Sequence, residues 1–301
     1  MTAAHPNGPC RADSHLITPR QVRDAQDAAA RDEGKPVRLL DVRWRLDRPE
    51  GRPEYLRAHL PGAVYVDLDH ELAHREQPNQ GRHPLPPLKE LQVAARGWGL
   101  NDGDLIVAYD DIRSVAAARL WWLLRRAGVS VRVLDGGLRG WVAAGYDLES
   151  GDVRPTGGSI TLQPAVSGAL TIDETQAFPD RGVLLDVRSP EHYRGDRSPL
   201  DPVGGHIPGA VNLPTMAHVV EDGTLHHPDV LRRIFLGAGV TAETPVGVYC
   251  GSGIAATHTA LALAEAGIDA QVFPGSWSQW SNTRGRLVAV GILPRGRLEA
   301  V

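Results

Sequence analysis

The sequence predicts an α/β protein of two tandem domains, each a largely parallel sheet flanked by helices. Three observations carry this expectation. The first is an internal repeat: "VRLLDVRW" (37–44) recurs as "GVLLDVRS" (182–189), and "AHLPGAVYVDLD" (58–69) recurs as "GHIPGAVNLPTM" (205–216). Further on, "LIVAYDD" (105–111) stands where "VGVYCGS" (246–252) stands, with Asp110 and Cys250 lying 140 residues apart. "LRRAGVSVRVLDGGLRGW" (124–141) likewise matches "LAEAGIDAQVFPGSWSQW" (263–280). The same order at nearly the same spacing marks a tandem duplication. The second observation is that each half alternates short β-branched runs with amphipathic segments, the pattern of a parallel sheet with crossover helices. The third is the polar, Gly- and Pro-rich stretch 148–168, which reads as a linker. It separates an N-terminal domain at 16–147 from a C-terminal domain at 169–296.

The elements of the second half follow from local chemistry. "VLLDV" (183–187) and "VGVY" (246–249) are brief apolar runs of the length and β-branched content of buried strands, and "QVF" (271–273) is a shorter one. The alanine-rich segment from Gly253 to Ala266 reads as a helix that ends at Gly267, a usual C-cap residue. In the first half, Trp121, Trp122 and Trp141 sit in apolar segments and are expected in its core. Trp277 and Trp280 follow the strand after the alanine-rich helix, a position suited to core packing or to the border of a cleft.

Composition removes several function classes. Of 301 residues, 42% are hydrophobic and 23% charged, the balance of a soluble chain able to bury a core. A formal charge of −4 without any Lys/Arg-rich run speaks against a nucleic-acid partner. No apolar run approaches the ~18 residues of a membrane span, and the polar start "MTAAHPNGPCRADSH" lacks the apolar core of a secretion signal. Cys10 and Cys250 are too few for a disulfide framework, so a reducing, cytoplasmic setting is expected.

Chemistry concentrates in "VYCGSGIAATHTALALAEAG" (248–267). If 246–249 is a strand and a helix follows, Cys250 lies at the carboxyl end of a parallel strand, where α/β sheets place ligands. A packing cysteine needs no glycines beside it. Gly251 and Gly253 allow the backbone to curl so that N–H groups across 251–255 point inward, a nest that at a helix start stabilises a thiolate or another anion. The matching loop of the first half carries Asp110 and lacks these glycines.

The repeat, "HLPGA" and "HIPGA", "CGSG" before a helix, "DGGLRGW" and "GSWSQW" together resemble the tandem-rhodanese sulfurtransferases over about residues 36–285. Within that family the 3-mercaptopyruvate branch is the nearer match. The resemblance implies two rhodanese-like domains, only the C-terminal one catalytic, and no cofactor. It implies a cysteine that takes sulfur from a small donor as a persulfide and passes it to a thiol acceptor such as thioredoxin, or to cyanide. Cys250 matches the nucleophile, and Ser252, His83 and Asp69 match a Ser–His–Asp relay whose histidine and aspartate come from the other domain. Gly251, Gly253, Ile254 and Ala255 fall in the loop that receives substrate. The thiosulfate branch carries basic residues after its cysteine, whereas Gly251 and Ser252 bring no charge.

Three departures stand out. The branch reads C-G-S-G-V-T-A, but here Ile254 replaces the valine and Ala255 removes a hydroxyl. A family arginine that grips the substrate carboxylate falls at His192, beside Tyr193, and a second falls near Leu200. Arg194 and Arg197 lie close by and are the candidates to replace them, although a shifted guanidinium is not an equivalent bidentate clamp.

Other readings compete. "HELAH" (70–74) fits H-E-x-x-H, but Gln77 and Gln80 occupy the places where the extended zinc motif needs glycine and histidine, and no metal is expected. "HH" at 226–227, before Pro228, reads as a solvated turn. A cysteine phosphatase loop, C-x5-R, would need arginine at 256, where Ala256 stands. A non-catalytic binding module is the remaining alternative, since duplicated domains can lose activity.

Overall fold

The computed structural model describes residues 14–74, 78–164 and 168–301. Cys10 and residues 165–167 of the linker lie outside the described residues. The N-terminal domain begins with β1 (Leu16–Ile17), α1 (Pro19–Ala30), β2 (Val37–Asp41) and α2 (Arg52–Arg57). It continues through β3 (Val64–Tyr65), α3 (Leu68–Glu71), α4 (Leu88–Gly97) and β4 (Leu105–Tyr109). It closes with α5 (Val115–Arg126), β5 (Val131–Leu134) and α6 (Gly137–Ala143). The sheet runs β1-β5-β4-β2-β3 with every pair parallel.

The C-terminal domain repeats this plan with α7 (Ile172–Ala177), β6 (Val183–Asp186), α8 (Pro190–Arg194) and β7 (Val211–Asn212). Then come α9 (Pro228–Gly237), β8 (Val246–Tyr249), α10 (Ala255–Glu265), β9 (Ala270–Val272) and α11 (Ser276–Trp280). Its parallel sheet runs β7-β6-β8-β9, and an isolated parallel bridge from Ala169 to Val272 stands where β1 stands in the first half. An antiparallel hairpin, β10 (Leu287–Val290) with β11 (Arg297–Ala300), ends the chain.

The duplication persists in atomic detail. Thr18 and Thr171 each cap the helix that follows through a capping box, with Gln21 and Glu174 as reciprocal partners. Asp41 holds Arg43 through paired hydrogen bonds, and Asp186 holds Arg188 in the same way. The histidines of "HLPGA" and "HIPGA" are buried and structural: His59 stacks on Tyr55, and His206 on Tyr193.

The two halves share one apolar core. Helices α5 and α10 are buried along almost their whole length and pack against each other between the sheets. Alanine at 116–118 and at 255, 256, 260, 262 and 264 keeps both helices slim enough for that approach. Trp121, Trp122 and Trp141 are buried as their apolar settings require, and so are Trp277 and Trp280. The stretch 148–168 is tied to the N-terminal domain as far as residue 164: Ile160 and Leu162 are buried, and backbone bonds link Gly158, Ile160 and Gln163 to Arg96, Leu100 and Ala127.

Candidate active site

Strand β8 delivers Cys250 to the carboxyl edge of the second sheet, where it is 3% exposed. The loop it opens is held from three directions. The N–H of Gly253 donates to Cys250 Sγ at 3.1 Å. From α11, the N–H groups of Trp277 and Ser278 donate to the carbonyls of Cys250 and Gly251, at 3.0 and 2.9 Å. Cys250 N–H in turn donates to Ser276 Oγ at 3.1 Å; that hydroxyl gives its proton to the Phe273 carbonyl and lies 3.9 Å from Sγ. Gly253 has φ +85°, and a Cβ there would stand 2.2 Å from the Pro274 carbonyl oxygen, so only glycine fits. Helix α10 starts at Ala255, two residues later than the spacing suggests, because 251–254 form the curl around sulfur.

The first half shows what such a loop can hold. At the matching place after β4, the buried carboxylate of Asp110 accepts from the N–H groups of Ile112, Ser114, Ala116 and Ala117, at 2.8–2.9 Å. Burial raises its pKa to about 6, and those four donors oppose the rise. One half keeps a buried carboxyl group where the other keeps a sulfur atom.

The N-terminal domain reaches this loop with two arginines. Arg119, fully buried on α5, donates to the carbonyls of Leu72, His83 and Gly253. Burial lowers its pKa to about 10, which still leaves the guanidinium charged at neutral pH. Arg82 donates to the Gly251 carbonyl at 3.2 Å, and its own N–H is fixed on Ser278 Oγ at 3.1 Å. Arg188, from the C-terminal domain, has its guanidinium 4.4 Å from the ring centre of Trp277.

Asp69 and His83 come together as a buried pair, with His83 Nε2 3.2 Å from Asp69 Oδ1. Trp44 Nε1 donates to the same carboxylate oxygen at 3.2 Å. Burial pushes the His83 imidazole below its ordinary value of 6.5, while the bond to Asp69 works in the opposite direction. Its Nδ1 is buried without a hydrogen-bond partner among the described residues. Ser252 is largely buried in the cysteine loop, and no hydrogen bond joins it to His83. Arg119 is the link between the pair and the loop, bonding the His83 and Gly253 carbonyls with one guanidinium.

Ile254 is buried at the start of α10 and Ala255 forms its first residue. His192 and Arg194, on α8, are exposed and engaged locally with Ser189 and Glu191. Arg197 is also exposed, in the loop after α8. In the "HELAH" stretch, α3 ends at Glu71, so His70 and His74 do not share a helical face; they bond to Asp67 and Glu90. Sequence reasoning missed Arg82, Arg119 and Ser276. A lone arginine inside "VAAARLWWLL" was the available signal for Arg119, since a charge in an apolar helix needs buried acceptors.

Comparison with known proteins fits this geometry. Residues 24–144 and 171–283 each match the rhodanese-like domain family. The chain is 45% identical over 262 residues to the putative thiosulfate sulfurtransferase SseB of Mycobacterium tuberculosis, covering 86% of this chain and 92% of that protein. It is 38% identical over 283 residues to a probable 3-mercaptopyruvate sulfurtransferase of Pseudomonas aeruginosa, covering 90% and 98%. The crystal structure of the 3-mercaptopyruvate sulfurtransferase SseA from Escherichia coli superposes with a TM-score of 0.77 at 29% identity, covering 88% of this chain and 99% of that one. The chain belongs to the rhodanese family and is a sulfurtransferase of its two-domain kind.

Proposed function

We propose that Cys250 takes sulfur from a small anionic donor, 3-mercaptopyruvate before thiosulfate, and hands it as a persulfide to a thiol such as thioredoxin or to cyanide. The observation that carries this reading is the Gly253 N–H aimed at Sγ in a loop whose neighbours Gly251 and Ser252 bring no charge. With 3-mercaptopyruvate, the thiolate attacks the donor sulfur, an S–S bond forms and the C–S bond breaks toward carbon. The thiol proton passes to the enolate of pyruvate, so atoms and charge balance. Neutral His83, oriented by Asp69, is the group to accept that proton and return it, and Ser252 is its proposed bridge to the substrate. An acceptor thiolate then attacks the outer sulfur and restores the Cys250 thiolate.

His192, Arg194 and Arg197 are the anion-binding candidates on the catalytic domain's own surface. The resemblance to a putative thiosulfate enzyme at 45% identity favours a second reading, with sulfite as the leaving group. No helix among the described residues is long and apolar enough to cross a membrane, and a reducing cytoplasmic setting suits a persulfide carrier. Steady-state assays that follow pyruvate and sulfite separately decide between donors. Pyruvate release with the higher kcat/KM supports the first reading; faster sulfite release supports the second. Release of neither rejects both.

A further inference from the structure

The cysteine loop needs a cation for an anionic donor, and the placement of three guanidiniums narrows the choice. Arg119 is sealed in the core, and Arg188 is committed to Asp186 and the Gly205 carbonyl. Arg82 touches the loop and also stays open, its side chain 26% exposed. It enters from the other domain, and Ser278 fixes its backbone. Its Nη1 bonds the carboxylate of Asp201 and the Leu200 carbonyl, and its Nη2 bonds Gly251. A guanidinium has five N–H donors. Three acceptors are in place; Nε is buried with no hydrogen-bond partner among the described residues, and the second Nη2 N–H is the donor left for a ligand. Asp201 is the drier partner, with its side chain 6% exposed.

We propose that Arg82 receives the anionic end of the sulfur donor, and that Asp201, by neutralising half of this ion pair, makes the site prefer a singly charged donor. The proposal rests on the reading of Cys250 as acceptor of sulfur from an anion. A carboxylate exploits the unused donor capacity of Arg82 beside the Gly251 carbonyl. A dianion such as thiosulfate meets the negative charge of Asp201 at close range, where burial leaves it poorly screened. Donor choice is thus set by a pair that spans the two domains.

Alkylation of the Cys250 peptide by iodoacetate and by iodoacetamide tests this without turnover. The two reagents differ chiefly in charge, so the ratio of their rates reads anion attraction. Loosening of the loop moves both rates together. Arg82→Gln is expected to lower the iodoacetate/iodoacetamide ratio at least about fivefold, and Asp201→Asn to raise it, with Arg82→Lys in between. In turnover, Arg82→Gln raises KM for either donor about tenfold with kcat changed less. Asp201→Asn raises kcat/KM for thiosulfate more than for 3-mercaptopyruvate. A ratio unmoved by Arg82→Gln while wild-type Cys250 still gains sulfur overturns the proposal and leaves the sulfurtransfer reading standing. A ratio that moves as expected in a protein that gains no sulfur supports the anion site and removes the sulfurtransfer reading.

Discussion

Arg119 and Gly253 belong to different domains, yet the buried guanidinium of the first donates to the carbonyl of the second at 3.4 Å. The same side chain holds the carbonyl of His83 at 2.9 Å, so it joins both parts of the site to the interdomain core. The contact ties the domain that lacks the loop cysteine directly to the cysteine loop.

Replacing Arg119 by Met removes the donor for three carbonyls in the interior. An unsatisfied buried carbonyl costs about 1–3 kcal/mol, partly offset by no longer burying a charge. The expected net loss is about 2–4 kcal/mol in urea unfolding, with kcat/KM falling more than tenfold. Arg119→Lys, which keeps the charge and loses the fork, should fall between.

Gly253→Ala forces a Cβ against the Pro274 carbonyl at a φ of +85°. The strain is worth about 1–3 kcal/mol, but displacement of the N–H on Sγ should cost turnover at least about tenfold. Gly251→Ala is the comparison for loop strain, with any effect through Arg82 read in KM. Its φ is not positive, and its added Cβ meets only the Arg82 Nη2 at 3.3 Å, so the loss should be smaller. Kinetics alongside thermal unfolding of the two variants separate loop geometry from fold stability.

Because burial holds the His83 imidazole below 6.5, it is neutral at pH 7. Donor turnover should therefore be flat near neutrality and decline on the acid side, as the imidazole takes up a proton below that value. Asp69 raises the His83 value, so Asp69→Asn should move the acid limb to lower pH while reducing the plateau. A profile of kcat/KM from pH 4.5 to about 8 checks both signs. His83→Ala with unchanged turnover would remove the proton-transfer role.

Acid should also unfold the protein through two other histidines. His218 and His258 are buried near each other, with ring centres 6.5 Å apart, and burial lowers them to about 3 and about 4. Above pH 6.5 both are neutral whether folded or unfolded, and they add no pH dependence. As pH falls below 6.5 the unfolded chain binds protons first, so stability declines until the folded values are reached. Each should remove on the order of 3 kcal/mol between pH 6.5 and 4. Urea midpoints across that range should decline steeply, and His258→Gln should flatten the slope.

The duplication made the architecture legible, because repeated strand sequences at a steady offset leave few topologies open. Cys250 was legible for the same reason: its loop differs from the Asp110 loop at the reactive position and at the two glycines that follow. Asp69 and His83 could be named only through the family resemblance, since nothing in "VDLD" or "GRHP" says that the short helix α3 and a later loop will meet. Arg82 was not legible as a site residue, and the apolar run around Arg119 signals a buried charge without saying what it binds. Most of their partners are backbone carbonyls, drawn from both domains, and backbone acceptors leave no mark in the sequence. Ser276 was hidden similarly, because its role depends on a left-handed φ of +52° that serine seldom adopts.

Intact-protein and peptide mass spectrometry after separate exposure to 3-mercaptopyruvate and thiosulfate, without reductant, tests the central claim most directly. The expected result is a gain of one sulfur atom on the Cys250 peptide from 3-mercaptopyruvate, more slowly from thiosulfate, and from neither donor in Cys250→Ser. Sulfur that accumulates on another residue, or Cys250→Ser protein that still transfers it, would contradict Cys250 as the carrier.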